Sequence, residues 1–278
     1  DKHTIDLKRL SYDHIEVGAT PIKTKYGWLL IYSHIQNYFP GGGERIFGVE
    51  AVLLDLNNPL KIVGRTRGPL FSPREAYELS GYVPNVVFPS GAILKKDTLS
   101  IYYGAADTSV CVAYVNLTDL LGTMRPETSG FWKFKRYLKN PIITPNKEHS
   151  WESKATFNPA ALFLKDRVHI LYRTLSEDNT SYIGYASSKD GLNIEERLVE
   201  PVYSPKENFE SKKVSMGNSG CEDPRITQIG KNIFMCYTAF DGIGPPRVAI
   251  TSIKEEDFLN KNWKWEKPIV ITPNGFDD

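Results

Sequence analysis

The sequence predicts an all-β protein built from repeated four-stranded units of the kind that form propeller blades. Three observations predict it. Short strands rich in β-branched and aromatic residues alternate with turns of Gly, Pro, Asn and Asp. A figure of two strands joined by a short loop returns four times, with Tyr32, Tyr102, Tyr172 and Tyr237 marking a period of roughly 65–70 residues, somewhat longer than the common propeller repeats. No long amphipathic stretch with a 3.6-residue period appears.

The elements follow in order. Gly27-Trp28-Leu29-Leu30-Ile31-Tyr32 reads as a strand, then a glycine-rich loop at Gly41-Gly42-Gly43-Glu44, then a second strand from Gly48 to Leu56. Leu99 to Gly104 and Val110 to Val115 form the second copy, Val168 to Arg173 and Tyr182 to Ser187 the third, Ile233 to Thr238 and Arg247 to Ser252 the fourth. Each later copy has an upstream strand ending in a small turn: Asn85 to Phe88 with Gly91 to Leu94, Pro159 to Leu164, and Arg225 to Ile229. An outer strand carrying Trp or Pro should follow, as at Trp263-Lys264-Trp265-Glu266-Lys267-Pro268. Asp119-Leu120-Leu121 and Glu255-Glu256-Asp257-Phe258 are expected as single helical turns. No linker or low-complexity segment interrupts residues 1–278, so a single domain is expected.

Composition narrows the function classes. A formal net charge of +1 gives no field favouring nucleic acid or an anionic membrane. No stretch approaches the ~20 apolar residues of a membrane span. Cys111, Cys221 and Cys236 lack metal-ligand spacing and read as reduced buried thiols, which suits the cytoplasm. The sequence carries no nucleophile elbow, P-loop or zinc-protease motif, and no metal site is evident. Aromatic residues, 12% of the chain with 15 tyrosines, suit stacked sheets or a sugar-binding cleft.

The chemistry concentrates in Gly220-Cys221-Glu222-Asp223-Pro224-Arg225-Ile226-Thr227. Two carboxylates and a guanidinium lie within four residues, and Pro224 should hold Asp223 extended. A carboxyl so placed is a general acid, an acceptor for sugar hydroxyls, or half of a structural ion pair. In a propeller, the loop entering each innermost strand lies at one mouth of the channel. Asn85, Asn158 and Asp223 occupy that place in copies two, three and four, so the repeat predicts their convergence. The alternative is that each is a turn former.

The chain resembles glycoside hydrolase family 130, the β-mannoside phosphorylases and related β-mannosidases. The resemblance rests on Trp28 to Tyr32, Gly81-Tyr82-Val83-Pro84-Asn85-Val86-Val87-Phe88, Tyr102-Tyr103-Gly104-Ala105-Ala106-Asp107-Thr108, Phe157-Asn158-Pro159-Ala160-Ala161, Leu171-Tyr172-Arg173, Ile183-Gly184-Tyr185-Ala186-Ser187 and Gly220 to Thr227. It implies a five-bladed β-propeller and an inverting enzyme in which phosphate attacks the anomeric carbon of a β-linked mannose. Two departures stand out. Four blade-like copies are recognisable where the family has five, and the Tyr-Tyr-Gly-Ala-Ala-Asp-Thr blade, last in the family, comes before the Asn-Pro-Ala-Ala blade here. The chain is therefore permuted or lacks one blade, which would fall between Asp278 and Asp1.

The resemblance implies that Asp223 is the proton donor, acting through a hydroxyl of the bound mannose. It implies that Asn158 and Arg173 hold the sugar, with Asp107 as a further sugar-binding carboxylate. Glu222, Arg225 and Asn85 complete the expected substrate site, with Glu222 favouring protonation of Asp223 and Arg225 opposing it. His34 and Arg247 are the expected phosphate ligands. Arg65, Arg67 and Arg74 read as solvated loop residues, with phosphate binding as their minor alternative. The expectation is thus a cytoplasmic β-mannoside phosphorylase acting on β-1,4-mannooligosaccharides or mannosyl-glucose. It would use inorganic phosphate as co-substrate and no organic cofactor, and self-association is compatible with it. A β-mannosidase and a non-catalytic sugar-binding propeller are the alternatives.

Overall fold

The structure is a computed structural model that describes residues 5–39, 45–124 and 134–272. The loop expected at Gly41 to Glu44, and the chain ends where a further blade was expected, lie outside the described residues. Strands β1 (His14–Val17), β2 (Ile22–Thr24), β3 (Gly27–Gln36), β4 (Ile46–Leu54) and β5 (Ile62–Arg65) form one sheet in the order β1-β3-β4-β5, with β2 also on β3. Strands β6 (Val87–Lys95), β7 (Thr98–Ala105), β8 (Ser109–Asn116) and β9 (Lys135–Arg136) form a second sheet in chain order. The third set is β10 (Ala155–Leu164), β11 (Arg167–Leu175), β12 (Thr180–Ser188) and β13 (Glu196–Arg197). The fourth is β14 (Ser219–Ile229), β15 (Asn232–Phe240), β16 (Arg247–Lys254) and β17 (Ile269–Val270). A short parallel pairing, Thr180 with Ser219 and Ser181 with Gly220, joins these last two sets into one sheet.

Chain contacts divide the protein into two compact units: Asp1–Asp107 with Cys111–Pro141, and Thr108–Val110 with Ile142–Asp278. Each has its own core. In the first, Leu29, Ile31, Val49, Ala51, Leu99, Ile101 and Tyr103 pack together. In the second, Leu171, Ile183, Tyr185, Ile233, Met235, Tyr237, Phe258 and Trp265 do so. The period-two alternation of a strand supplies these residues from one face, except Phe258 on α3 and Trp265 in the segment after it. Full burial of each such aliphatic side chain contributes about 1.5–3 kcal/mol. The helices are α1 (Ala76–Leu79), α2 (Leu117–Thr123) and α3 (Glu255–Leu259), so the two expected helical turns are present and slightly longer.

Three expectations are corrected. The outer strand falls at Ile269–Val270, after Pro268 and not across the tryptophans. Trp265 instead buries its ring and donates its indole N–H to the Val202 carbonyl (2.9 Å). The repeat is marked by Tyr103 and not Tyr102, because Tyr103 makes the contact to a buried glutamate that its counterparts make. Arg65 is no solvated loop residue: it reaches the Tyr32 hydroxyl (3.2 Å) and the Leu7 carbonyl.

Those glutamates are the internal signature of the repeat. Glu50, Glu78, Glu152 and Glu210 are each 0% exposed. They accept from Tyr32 (2.8 Å), Tyr103 (2.8 Å), Tyr172 (3.0 Å) and Tyr237 (2.7 Å). A buried carboxylate is costly unless paired and hydrogen-bonded. Arg9 and Arg65 pair with Glu50, Arg136 with Glu78, and Arg197 and His149 with Glu152. Glu210 takes the backbone N–H groups of Lys206 and Glu207. Gly184 serves the same end, because a Cβ there would stand 2.5 Å from the Tyr172 ring.

Glu50 carries a pH signature. Burial alone would raise its pKa, but the close approach of His34 and hydrogen bonds from Arg9 and Tyr32 outweigh burial and hold it at about 2, below the ordinary 4.5. A depressed carboxylate stabilises the fold above its unfolded pKa and loses that contribution as pH falls through the folded one. The stability advantage of the wild type over Glu50→Gln, measured by urea unfolding, should therefore be complete above pH 4.5 and vanish as pH approaches 2.

Candidate active site

Asn158 and Asp223 occupy matching bulges. In the β10 and β11 pair, Phe157 faces Arg173 and Ala160 faces Leu171, so Asn158 and Pro159 together oppose Tyr172. In the β14 and β15 pair, Glu222 faces Thr238 and Arg225 faces Cys236, so Asp223 and Pro224 oppose Tyr237. The extra residue twists each strand locally and re-aims a side chain. Asn158 has φ of 46° and Asp223 φ of 49°, both in the left-handed region. This corrects the expected extended backbone at Asp223: the bulge overrides the usual preference of a residue before proline. The same bulge lets the strand run through the proline, so both residues sit inside their strands and not ahead of them. Non-glycine residues in this region are strained and cluster at functional sites.

The two bulges meet within the second unit. Asn158 donates from Nδ2 to Asp223 Oδ1 (2.9 Å), and Arg173 donates from Nη1 to the same oxygen (3.1 Å). Both donors reach Oδ1, so neither of these contacts engages Oδ2. Arg173 Nη2 lies 2.7 Å from Glu222 Oε1, its Nε donates to Ser181 Oγ (3.1 Å), and its guanidinium stacks over the Phe157 ring at 4.8 Å. Asn158 is 94% buried, yet its Oδ1 has no hydrogen-bond partner among the described residues. A buried acceptor left unpaired costs about 1–3 kcal/mol, so this atom is poised for a hydroxyl donor. Arg225 turns back and donates to the Asp223 and Pro224 carbonyls (3.0 and 3.1 Å), bracing the bulge.

The other expected site residues lie elsewhere. Asn85 is exposed in the first unit, ahead of β6, with φ of 63°. Register places Pro89 and Ser90 opposite Tyr103, so Pro89 and not Asn85 is the counterpart of Asn158 and Asp223. Asp107 is half-buried in the turn between β7 and β8, with φ of 47°. His34 cannot serve as a phosphate ligand as expected: it is fully buried, with Nε2 2.9 Å from Asp13 and Nδ1 3.1 Å from Glu50. Two carboxylates around one imidazole oppose an anion there. Arg247 donates from Nε to Thr272 Oγ1 (3.1 Å) and from Nη2 to the Thr272 carbonyl (2.5 Å), which ties it to the outer edge of its sheet. Among the described residues, no group of three or more His, Cys, Asp or Glu could hold a metal, and no helix is long and apolar enough to cross a membrane.

Sequence reading missed Ser181 and the buried glutamates. A signal for the glutamates exists. Leu70-Phe71-Ser72-Pro73 precedes Tyr77-Glu78, Ile142-Ile143-Thr144-Pro145 precedes Trp151-Glu152, and Val202-Tyr203-Ser204-Pro205 precedes Phe209-Glu210. The shared pattern is two apolar residues, Ser or Thr, Pro, and then an aromatic residue followed by Glu.

A 1,2-beta-oligomannan phosphorylase of Thermoanaerobacter sp. (strain X514) is 41% identical over 106 residues, which are 38% of this chain and 34% of that protein. A beta-1,2-mannobiose phosphorylase of Listeria innocua is 36% identical over 128 residues, 45% of this chain and 34% of that protein. The chain thus spans about a third of the length of the curated relatives it matches. A Bombyx mori GH32 beta-fructofuranosidase structure superposes with a TM-score of 0.52 at 15% identity, over 87% of this chain and 48% of that one, a likeness of fold alone. The fold class is all-β, that of the five-bladed β-propellers, with four blade-like strand sets in three sheets among the described residues. The family model for beta-1,4-mannooligosaccharide phosphorylase matches residues 11–126 and again 133–261, and the chain belongs to that family, glycoside hydrolase family 130.

Proposed function

We propose that the protein cleaves short β-mannosides by inverting phosphorolysis, releasing α-mannose 1-phosphate. The observation that carries this reading is the meeting of Asn158 and Asp223, each on a strained bulge next to a proline, with Arg173 of β11. Asn158 Oδ1 and the Arg173 guanidinium hold mannose hydroxyls. Asp223 supplies the proton that the departing sugar oxygen needs, through a mannose hydroxyl. A phosphate oxygen forms the new bond to the anomeric carbon from the opposite face as the glycosidic bond breaks. No organic cofactor takes part. Family membership and the two phosphorylase relatives support the reaction class.

One observation favours hydrolysis as a second reading. The basic side chains expected to bind phosphate each face groups of this chain: His34 faces Asp13 and Glu50, and Arg247 faces Thr272. Water in place of phosphate needs no such cations. Incubation with β-1,2-mannobiose and with β-1,4-mannobiose, each with and without inorganic phosphate, separates the readings. Mannose 1-phosphate formed only with phosphate supports phosphorolysis. Free mannose at equal rates in both conditions replaces it with hydrolysis, and no turnover in any condition overturns both.

A further inference from the structure

We infer that Ser181 is a positioning residue that sets the plane of the Arg173 guanidinium; the inference rests on the mannoside reading of the site. A guanidinium has five N–H donors in one rigid plane, so fixing three nitrogens fixes the whole group. Among the partners of Arg173 are the carboxylates of Glu222 and Asp223, at 2.7 and 3.1 Å. These are chain neighbours competing for one cation, and the charges alone would allow the plane to swing toward either. Ser181 adds a neutral partner. Ser181 Oγ accepts from Nε at 3.1 Å and faces Glu222 Oε1 at 3.5 Å, so one hydroxyl touches both the cation and its stronger anion.

The position of Ser181 is set by backbone on two sides. On one side it pairs with Leu175 of β11, the strand that carries Arg173. On the other it pairs with Gly220 of β14, the strand that carries Glu222 and Asp223. Gly220 has φ of 114°, and a Cβ there would stand 2.2 Å from the Ser181 carbonyl oxygen. Only glycine allows this approach. Ser181 is 0% exposed. It therefore sits where the two strands bearing the site are stapled, and it transmits their register to Arg173. With Nε held, Nη1 points at Asp223 Oδ1 and the stack on Phe157 is maintained.

The test is a double-mutant cycle in kcat/KM, accompanied by an independent measurement that needs no substrate. Loss of a positioning contact commonly costs up to about 100-fold in rate. Ser181→Ala should lower kcat/KM for the cleaved mannobiose by roughly 10- to 100-fold, with most of the loss in kcat. In the Arg173→Lys background, which already lacks the Nε donor, it should change kcat/KM by less than about twofold. Independently, the Arg173 Nε–H resonance in ¹⁵N NMR, assigned by its loss in Arg173→Lys, should exchange with water at least about tenfold faster in Ser181→Ala, since a buried donor without its acceptor opens to solvent. Ser181→Cys, with a weakly accepting thiol, replaces Ser181→Ala in both measurements if the alanine variant does not fold. Additive losses in the cycle, or unchanged Nε–H exchange, overturn the assignment. If no mannoside is turned over, the function reading fails while the NMR comparison still decides whether Ser181 holds Arg173.

Discussion

Replacing Asp223 by Asn should lower turnover of an unactivated β-mannoside by roughly 10²- to 10⁴-fold, the usual contribution of a general acid. The fold should survive, for a reason visible in the contacts. Asn retains an oxygen that can accept from Asn158 Nδ2 and Arg173 Nη1, and Arg173 keeps its contacts to Glu222 and Ser181. What disappears is the ability to give up a proton. Steady-state kinetics on the cleaved mannobiose, with circular dichroism as the control for folding, checks the prediction. Activity within a few-fold of wild type would reduce Asp223 to a structural anchor of its bulge.

Glu152→Ala should have the largest effect on stability, a loss of about 3–5 kcal/mol in urea unfolding, the range for removing one partner of a buried ion pair. Three groups lose their acceptor together. Tyr172 O–H is 3.0 Å from Glu152, Arg197 Nη2 is 2.7 Å away and His149 Nδ1 is 2.6 Å away. Tyr172 is wholly buried and burial pushes its pKa upward, so its hydroxyl stays neutral and needs a partner. The damage should reach the site as well, because Arg173 follows Tyr172 on β11 and Asn158 lies opposite it. Glu152→Gln, which keeps shape and one acceptor, should lose clearly less. Equal losses for the two variants would mean that the charge of Glu152 matters more than the oxygen it offers.

Strand positions were legible because alternation and β-branched content report local backbone preference, and β11, β15 and β16 fall within a residue or two of where they are expected. The bulges were not legible. The rule for a residue before proline points Asp223 to extended backbone, and only the pairing of Glu222 with Thr238 and Arg225 with Cys236 forces it left-handed. The choice between Tyr102 and Tyr103 fails for a similar reason, since adjacent tyrosines differ only in which face of the sheet they occupy. His34 was misassigned because its environment comes from Asp13 and Glu50, 21 and 16 residues away along the chain. Asn158, Arg173, Glu222 and Asp223 were recoverable together because they lie in short motifs whose shared geometry the fold preserves.

The buried tyrosine and glutamate pairs bear on the order in which the chain acquires structure. Tyr32 with Glu50, Tyr103 with Glu78, Tyr172 with Glu152, and Tyr237 with Glu210 close spans of 18, 25, 20 and 27 residues. In the last three the acid comes from the segment just upstream of the sheet it enters. A β protein dominated by distant pairings folds slowly, whereas contacts over such spans form early. Each of these strand sets can therefore give its interior carboxylate a hydrogen-bond donor as soon as its first two strands are synthesised, whereas the arginines that pair with Glu78 and Glu152 arrive later, on β9 and β13. The natural cutting point for exchanging or transplanting such a sheet consequently lies before the Ser-Pro or Thr-Pro step, at Ser72, Thr144 or Ser204, and not at the first residue of the strand.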